Sequence, residues 1–223
     1  MRKMKNNKFL KTMTAMLSVI AVCAMIMTGC GSGKKEAAQE DTQSPAQTDK
    51  TQERAVDTSA MHHAQIKIRD YGTITIALDE EAAPATVENF TKLVNEGFYD
   101  GLTFHRIIDG FMIQGGDPAG NGTGGSDETI VGEFASNGHD NPISHVKGVI
   151  SMARAQNPDS ASSQFFITVA DSTFLDGDYA AFGYVTEGMD IADQIAREAE
   201  PVDNNGTIPP EAQPVIESIT MID

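Results

Sequence analysis

The sequence predicts a mainly β fold: a closed eight-stranded antiparallel β-barrel capped by two α-helices, carried behind an export signal and a polar tether. Three observations lead there. Seven or eight short runs alternate apolar and polar residues with the period of half-buried strands. Only two stretches repeat apolar residues at helical spacing. Once the leader and tether are set aside, residues 62–223 have the size of one domain, enough to bury a sizeable core.

In chain order, residues 1–29 combine an acid-free basic start (Arg2, Lys3, Lys5, Lys8, Lys11) with an apolar run from Met13 to Met27. That run is short for a spanning helix and has the layout of a secretory signal. It closes in Met27-Thr28-Gly29-Cys30, which resembles a bacterial lipobox, so Cys30 is the expected lipidation site. Only Cys23 and Cys30 are present, so the folded part has no disulfide and relies on core burial. Removing the five leader cations takes the formal net charge from -16 to -21. Such a chain repels nucleic acid and anionic headgroups, which leaves membrane attachment to the acyl chains on Cys30. Residues 30–61 carry no aromatic side chain and almost no large aliphatic one. They are expected to form a disordered tether with an end-to-end distance on the order of 30 Å. No internal repeat is evident.

The domain opens with 64-AQIKIRD-70 and 73-TITIAL-78, whose isoleucines alternate with polar or small residues on either side of a Tyr-Gly turn. A hairpin is expected there. Pro84 then starts PATVENFTKLVNEG, where Val87, Phe90, Leu93 and Val94 share one helical face and Gly97 marks the stop. A second helix is predicted over 189–197 from Ile191, Ala192, Ile195 and Ala196. Strands are predicted at 103–108, 111–115, 147–153, 164–168, 180–185 and 214–222.

The run FHRIIDGFMIQGGD, residues 104–117, places Arg106 and Gln114 among bulky apolar residues. A two-residue loop would set Arg106 opposite Ile113, whereas a three-residue connection, 109–111, sets it opposite Gln114. The second register groups Arg106, Met112 and Gln114 on one face and sends His105, Ile107 and Ile113 to the other. It makes a surface with one guanidinium held by an amide. Likewise in 163-SQFFIT-168, Gln164 and Phe166 face one way while Phe165 faces the core.

Other chemistries lack their patterns. Histidines 62, 63, 105, 139 and 145 form no His-x-x-x-His or Cys-His grouping, so no metal or other cofactor is expected. No serine sits in a nucleophile elbow, and GGDPAGNGTGG (115–125) lacks the Lys-Ser or Lys-Thr of a phosphate loop.

The runs FHRIIDGFMIQGGD, NGTGG (121–125), GVISMARA (148–155), SSQFFIT (162–168) and FLDGDYAAFGYVTEGMDI (174–191) resemble cyclophilins, the peptidyl-prolyl cis-trans isomerases, in the family's order across essentially the whole domain. The resemblance implies a barrel with a shallow groove for an extended X-Pro segment. It makes Arg106 the catalytic arginine and Phe111, Met112, Phe166 and Leu175 the proline pocket. It makes Gln114 the residue that orients the arginine and contacts substrate backbone, and Ala153 and Gln164 further groove residues. Arg154, Phe174 and Tyr179 match groove positions where many eukaryotic relatives have Asn, Trp and His. With Phe174 in place of Trp, cyclosporin binding is expected to be weak. Together with the export signal, this points to a monomeric isomerase, lipid-anchored outside the cytoplasm, acting on unfolded or partly folded exported proteins. A tethered chaperone or proline-peptide binding module would need the Phe166 pocket equally; only the enzyme needs Arg106.

Overall fold

The computed structural model describes residues 56–223. The expected export signal, the expected lipidation site Cys30 and the expected tether up to residue 55 lie outside the described residues. Among the described residues there are eight strands: β1 (His62–Ile68), β2 (Gly72–Leu78), β3 (Phe104–Ile108), β4 (Met112–Gly115), β5 (Val149–Met152), β6 (Phe165–Thr168), β7 (Ala181–Glu187) and β8 (Ile216–Met221). Two helices accompany them, α1 (Pro84–Asn95) and α2 (Met189–Glu198). No helix among the described residues is long and apolar enough to cross a membrane.

All paired strands run antiparallel, in the order β3-β4-β6-β5-β7-β2-β1-β8. The expected closed barrel is therefore corrected. The sheet curls, but no ladder joins β3 to β8. The seam is spanned instead by one isolated bridge, Thr103↔Val215, and by backbone bonds from Phe104 N–H to Pro214 O (2.9 Å) and from Ile216 N–H to Leu102 O (2.8 Å). Pro214 has no N–H to give a ladder at this point. The free edge of β3 is covered further along by the 206–208 loop, where Ile107 N–H reaches Gly206 O at 2.8 Å and Ile208 N–H reaches His105 O at 3.0 Å.

The inward faces of the strands and one face of each helix share a single apolar core. Ile66, Ile74, Ile76, Ile107, Ile113 and Ile167 meet Val87, Phe90, Leu93 and Val94 of α1 and Ala192, Ile195 and Ala196 of α2. Its centre is aromatic: Phe165 stands edge-on to Phe90, Tyr99 and Phe104 with ring centroids 5.6 to 6.1 Å apart. Tyr99 is buried, and its hydroxyl donates to Ser163 O at 3.1 Å, so no polar atom is stranded there. Gly183 lets β7 approach β2 closely, because any side chain would strike the Ala77 carbonyl. The N-terminus of α1 has no capping side chain of its own. Glu133, buried and 47 residues downstream, accepts from Ala85 N–H (2.9 Å), Thr86 N–H (2.8 Å) and the Thr86 hydroxyl (2.7 Å) instead.

Candidate active site

The β3–β4 hairpin has the three-residue connection Asp109-Gly110-Phe111. Gly110 takes φ +71°, Phe111 N–H closes on Ile108 O at 3.0 Å, and Arg106 lies opposite Gln114. The left-handed conformation at Gly110 is open to glycine without strain, so the turn fixes the register expected from the sequence. One part of that expectation needs correction. A bulge between Phe104 and Arg106 puts His105 out of step with the ladder. His105 does not join the core with Ile107 and Ile113 but lines a small cavity with Arg106, Gln114, Asn121, Gly122, Asn205 and Thr207.

Arg106 is half-buried and held on two sides. Its Nε donates to Asn205 O at 2.7 Å, and Nη1 donates to Gln114 Oε1 at 3.1 Å and lies 3.8 Å from Met112 Sδ. Nη2 has no partner among the described residues. Burial lowers the arginine's pKa below its ordinary value, partly opposed by Tyr179 and Asp203, and the group stays cationic near neutral pH. Gln114 in turn donates from Nε2 to Gln164 Oε1 at 3.0 Å, and Gln164 Nε2 donates to Gly124 O at 2.7 Å. The chain of amides ends on a loop organised by Asp117. This buried carboxylate accepts backbone N–H bonds from Ala119 (2.7 Å), Asn121 (3.0 Å) and Gly122 (2.6 Å). Burial alone would raise its pKa; those bonds outweigh burial and lower it.

Ten of the residues singled out from the sequence line one open cavity of 330 Å³: Arg106, Phe111, Met112, Gln114, Ala153, Arg154, Phe166, Phe174, Leu175 and Tyr179. Its floor is Met112, Phe166 and Leu175, each at most 8% exposed. Phe174 is 71% exposed and rests its ring against Phe111 at 5.5 Å. Tyr179 meets Phe166 edge-on at 6.0 Å. Gln164 lies outside this cavity and lines its neighbour, reaching Arg106 through Gln114. A fixed cation beside an apolar floor can grip a compact apolar ring and direct N–H donors at an atom next to it.

Sequence reasoning did not foresee what lies beneath Phe166. The His145 ring stacks on it, 16° from parallel with centroids 6.1 Å apart. His145 Nδ1 is 2.9 Å from Asp176 Oδ1, and Nε2 is 3.0 Å from Ser151 Oγ. Although the trio is the set used by hydrolases, Ser151 and His145 are fully buried, so no substrate can reach the hydroxyl. The arrangement is a polar brace behind the pocket wall. The available signal was Ser151 itself, a serine inside the apolar strand Val-Ile-Ser-Met, which demands a buried partner. Among the described residues, no group of three or more His, Cys, Asp or Glu could hold a metal ion.

Comparison with known proteins gives the family. A family model described as cyclophilin type peptidyl-prolyl cis-trans isomerase matches residues 63–221. The chain is 50% identical over 125 residues to peptidyl-prolyl cis-trans isomerase B of Bacillus subtilis, covering 56% of this chain and 84% of that protein. It is 45% identical over 131 residues to peptidyl-prolyl cis-trans isomerase A of Dickeya dadantii, covering 56% of this chain and 67% of that one. A crystal structure of a Cryptosporidium parvum cyclophilin type isomerase, determined in the presence of the dipeptide Ala-Pro, superposes with a TM-score of 0.63 at 28% identity over 72% of this chain and 99% of that one.

Proposed function

The chain belongs to the cyclophilin-type peptidyl-prolyl cis-trans isomerase family and is an isomerase of X-Pro bonds; we propose that Arg106 supplies its catalytic hydrogen bond and that its substrates are exported chains. The observation that carries the mechanism is the guanidinium of Arg106, anchored through Nε and Nη1 while Nη2 stays free of described partners, beside the floor of Met112, Phe166 and Leu175.

Rotation about X-Pro breaks amide resonance and costs about 18 to 20 kcal/mol. Uncatalysed, it takes tens to hundreds of seconds. No bond is made or lost, so neither nucleophile nor cofactor is required. In the twisted transition state the proline nitrogen recovers a localised lone pair. An N–H of Arg106 aimed at that nitrogen bonds more strongly there than in the planar ground state, which is the condition for acceleration rather than mere binding. The pyrrolidine ring sits against Phe111, Met112, Phe166 and Leu175, while the preceding residue swings. Gln114 holds both the arginine and the substrate backbone, and the excluded water strengthens the charge–lone pair interaction. Lowering the barrier by about 7 kcal/mol gives on the order of 10⁵-fold acceleration.

The basic leader, the Met-Thr-Gly-Cys sequence and the acidic, core-poor segment to residue 61 support export, lipidation at Cys30 and display of the domain beyond the membrane surface. Clients would be newly translocated, incompletely folded chains whose X-Pro bonds have not equilibrated. Two measurements test the reading. Exchange NMR of an Ala-Pro peptide should show cis–trans cross-peaks with catalytic amounts of the protein and none without it. Cells fed labelled palmitate should label the wild-type chain and fail to label Cys30→Ala. An unlabelled wild-type chain would remove the lipid anchor from the account.

A further inference from the structure

The cavity that holds Gln164 adjoins the proline cavity, is also 330 Å³, and shares Gln114, Ala153 and Arg154 with it. Its remaining wall is the backbone and small side chains of residues 122–126 with Ala155, Ser160, Ser162 and Gln164. In a chain of net charge -16, no carboxylate side chain lines either cavity, and their only charged liners are Arg106 and Arg154.

Arg154 is a cation already held in place. Its guanidinium lies over the rings of Tyr179 (4.8 Å) and Phe134 (5.0 Å). Its Nε donates to Asp178 O at 2.8 Å and Nη1 to Ala155 O at 3.0 Å. It makes no ion pair among the described residues, because the partners it has found are carbonyls and ring faces. Two donors belonging to residues that line this cavity lack described partners, Nη2 of Arg154 and the hydroxyl of Ser162. An ordered, unpaired guanidinium spends little further entropy on binding an anion.

An extended peptide advances about 3.3 Å per residue and turns alternate side chains to the same face. With proline in the first cavity, the side chain two residues away is therefore the one directed at the second. Resting on the isomerase reading above, we infer that Arg154 makes the enzyme prefer X-Pro segments carrying an aspartate or glutamate two residues from the proline, the carboxylate seated against Arg154 and Ser162.

The test uses the full-length protein and peptides acetylated and amidated at their ends, so that the side chain is the only carboxylate. Asp or Asn is placed two residues before, or two residues after, a single Ala-Pro bond, and kcat/KM is measured for each. The expected result is an Asp-over-Asn ratio of about three to five at one of the two positions, shrinking towards one in high salt. The ratio should fall to one in Arg154→Gln and persist in Arg154→Lys. Equal rates for Asp and Asn at both positions, in a protein that accelerates the Asn peptides, would overturn the preference and leave the isomerase intact. A preference that survives Arg154→Gln would overturn the assignment to Arg154. Failure to accelerate any peptide would remove the isomerase reading and this inference with it.

Discussion

Consider the loss of the amide that steadies the arginine. In Gln114→Ala, Arg106 loses its bond to Gln114 Oε1 at 3.1 Å and keeps only the Asn205 carbonyl at 2.7 Å and the weak Met112 sulfur contact. A hydrogen bond to a charged group is worth about 1.5 to 3 kcal/mol, and taking about 2 kcal/mol gives roughly a 30-fold fall in kcat/KM. Gln164→Ala removes a neutral bond of 3.0 Å one step further out. Its cost of about 1 kcal/mol corresponds to roughly fivefold. Since Gln164 acts on Arg106 through Gln114, the double variant should be no more than about twofold worse than Gln114→Ala alone, a non-additivity that a double-mutant cycle reads directly. The assay is the relaxation of an Ala-Pro peptide from cis to trans after a solvent jump. Effects that simply multiply, to roughly 150-fold, would refute the idea that the two amides form one chain of support.

Three further outcomes are expected. Phe166→Ala, which empties a 4% exposed position on the pocket floor, should cost about 3 to 5 kcal/mol in denaturant unfolding and weaken proline-peptide binding in a titration; unchanged peptide affinity would argue against the pocket. Glu133→Ala should lower the melting temperature by several degrees, since it strips three donors at the start of α1, while leaving kcat unchanged in the folded protein. Burial lowers the pKa of His145 and of His105 below the ordinary 6.5, against the opposing pull of Asp176 and Asp117 respectively, with Arg106 also lowering His105. The unfolded chain then takes up these protons first, so stability is full above pH 6.5 and is lost as pH falls from there to the folded pKa values, by up to about 1.4 kcal/mol per pH unit for each histidine. Denaturant midpoints at pH 7.5 and 5.5 check this, and a midpoint that rises on acidification would contradict it.

Much of the fold was readable because period and punctuation agreed. Ile66, Ile68, Ile74 and Ile76 alternate around a short turn, and both predicted helices lie within a residue or two of where α1 and α2 stand. Arg106 and Gln114 were paired correctly by choosing, of two possible loop lengths, the register that groups the polar pair, and the three-residue loop with its left-handed glycine has that register. What failed to show was what local pattern does not carry. The bulge at His105 sits where the 206–208 loop covers the edge of β3, and such a loop leaves no alternation to read. Barrel closure was inferred from strand count, but a seam is decided by individual backbone donors, and Pro214 withholds one. The brace of His145, Ser151 and Asp176 joins residues 6 and 31 positions apart, and neither spacing marks a helix face or a strand.

The central claim is that Arg106 acts in the transition state while the apolar pocket binds. Its most direct test compares wild type with Arg106→Ala in two measurements on one Ala-Pro peptide, turnover by exchange NMR and affinity by titration. Removing one donor of this kind costs on the order of 10²- to 10³-fold in turnover. The account predicts a loss of that size with affinity changed by no more than a few fold. Undiminished turnover, or a loss of affinity as large as the loss of turnover, would contradict it.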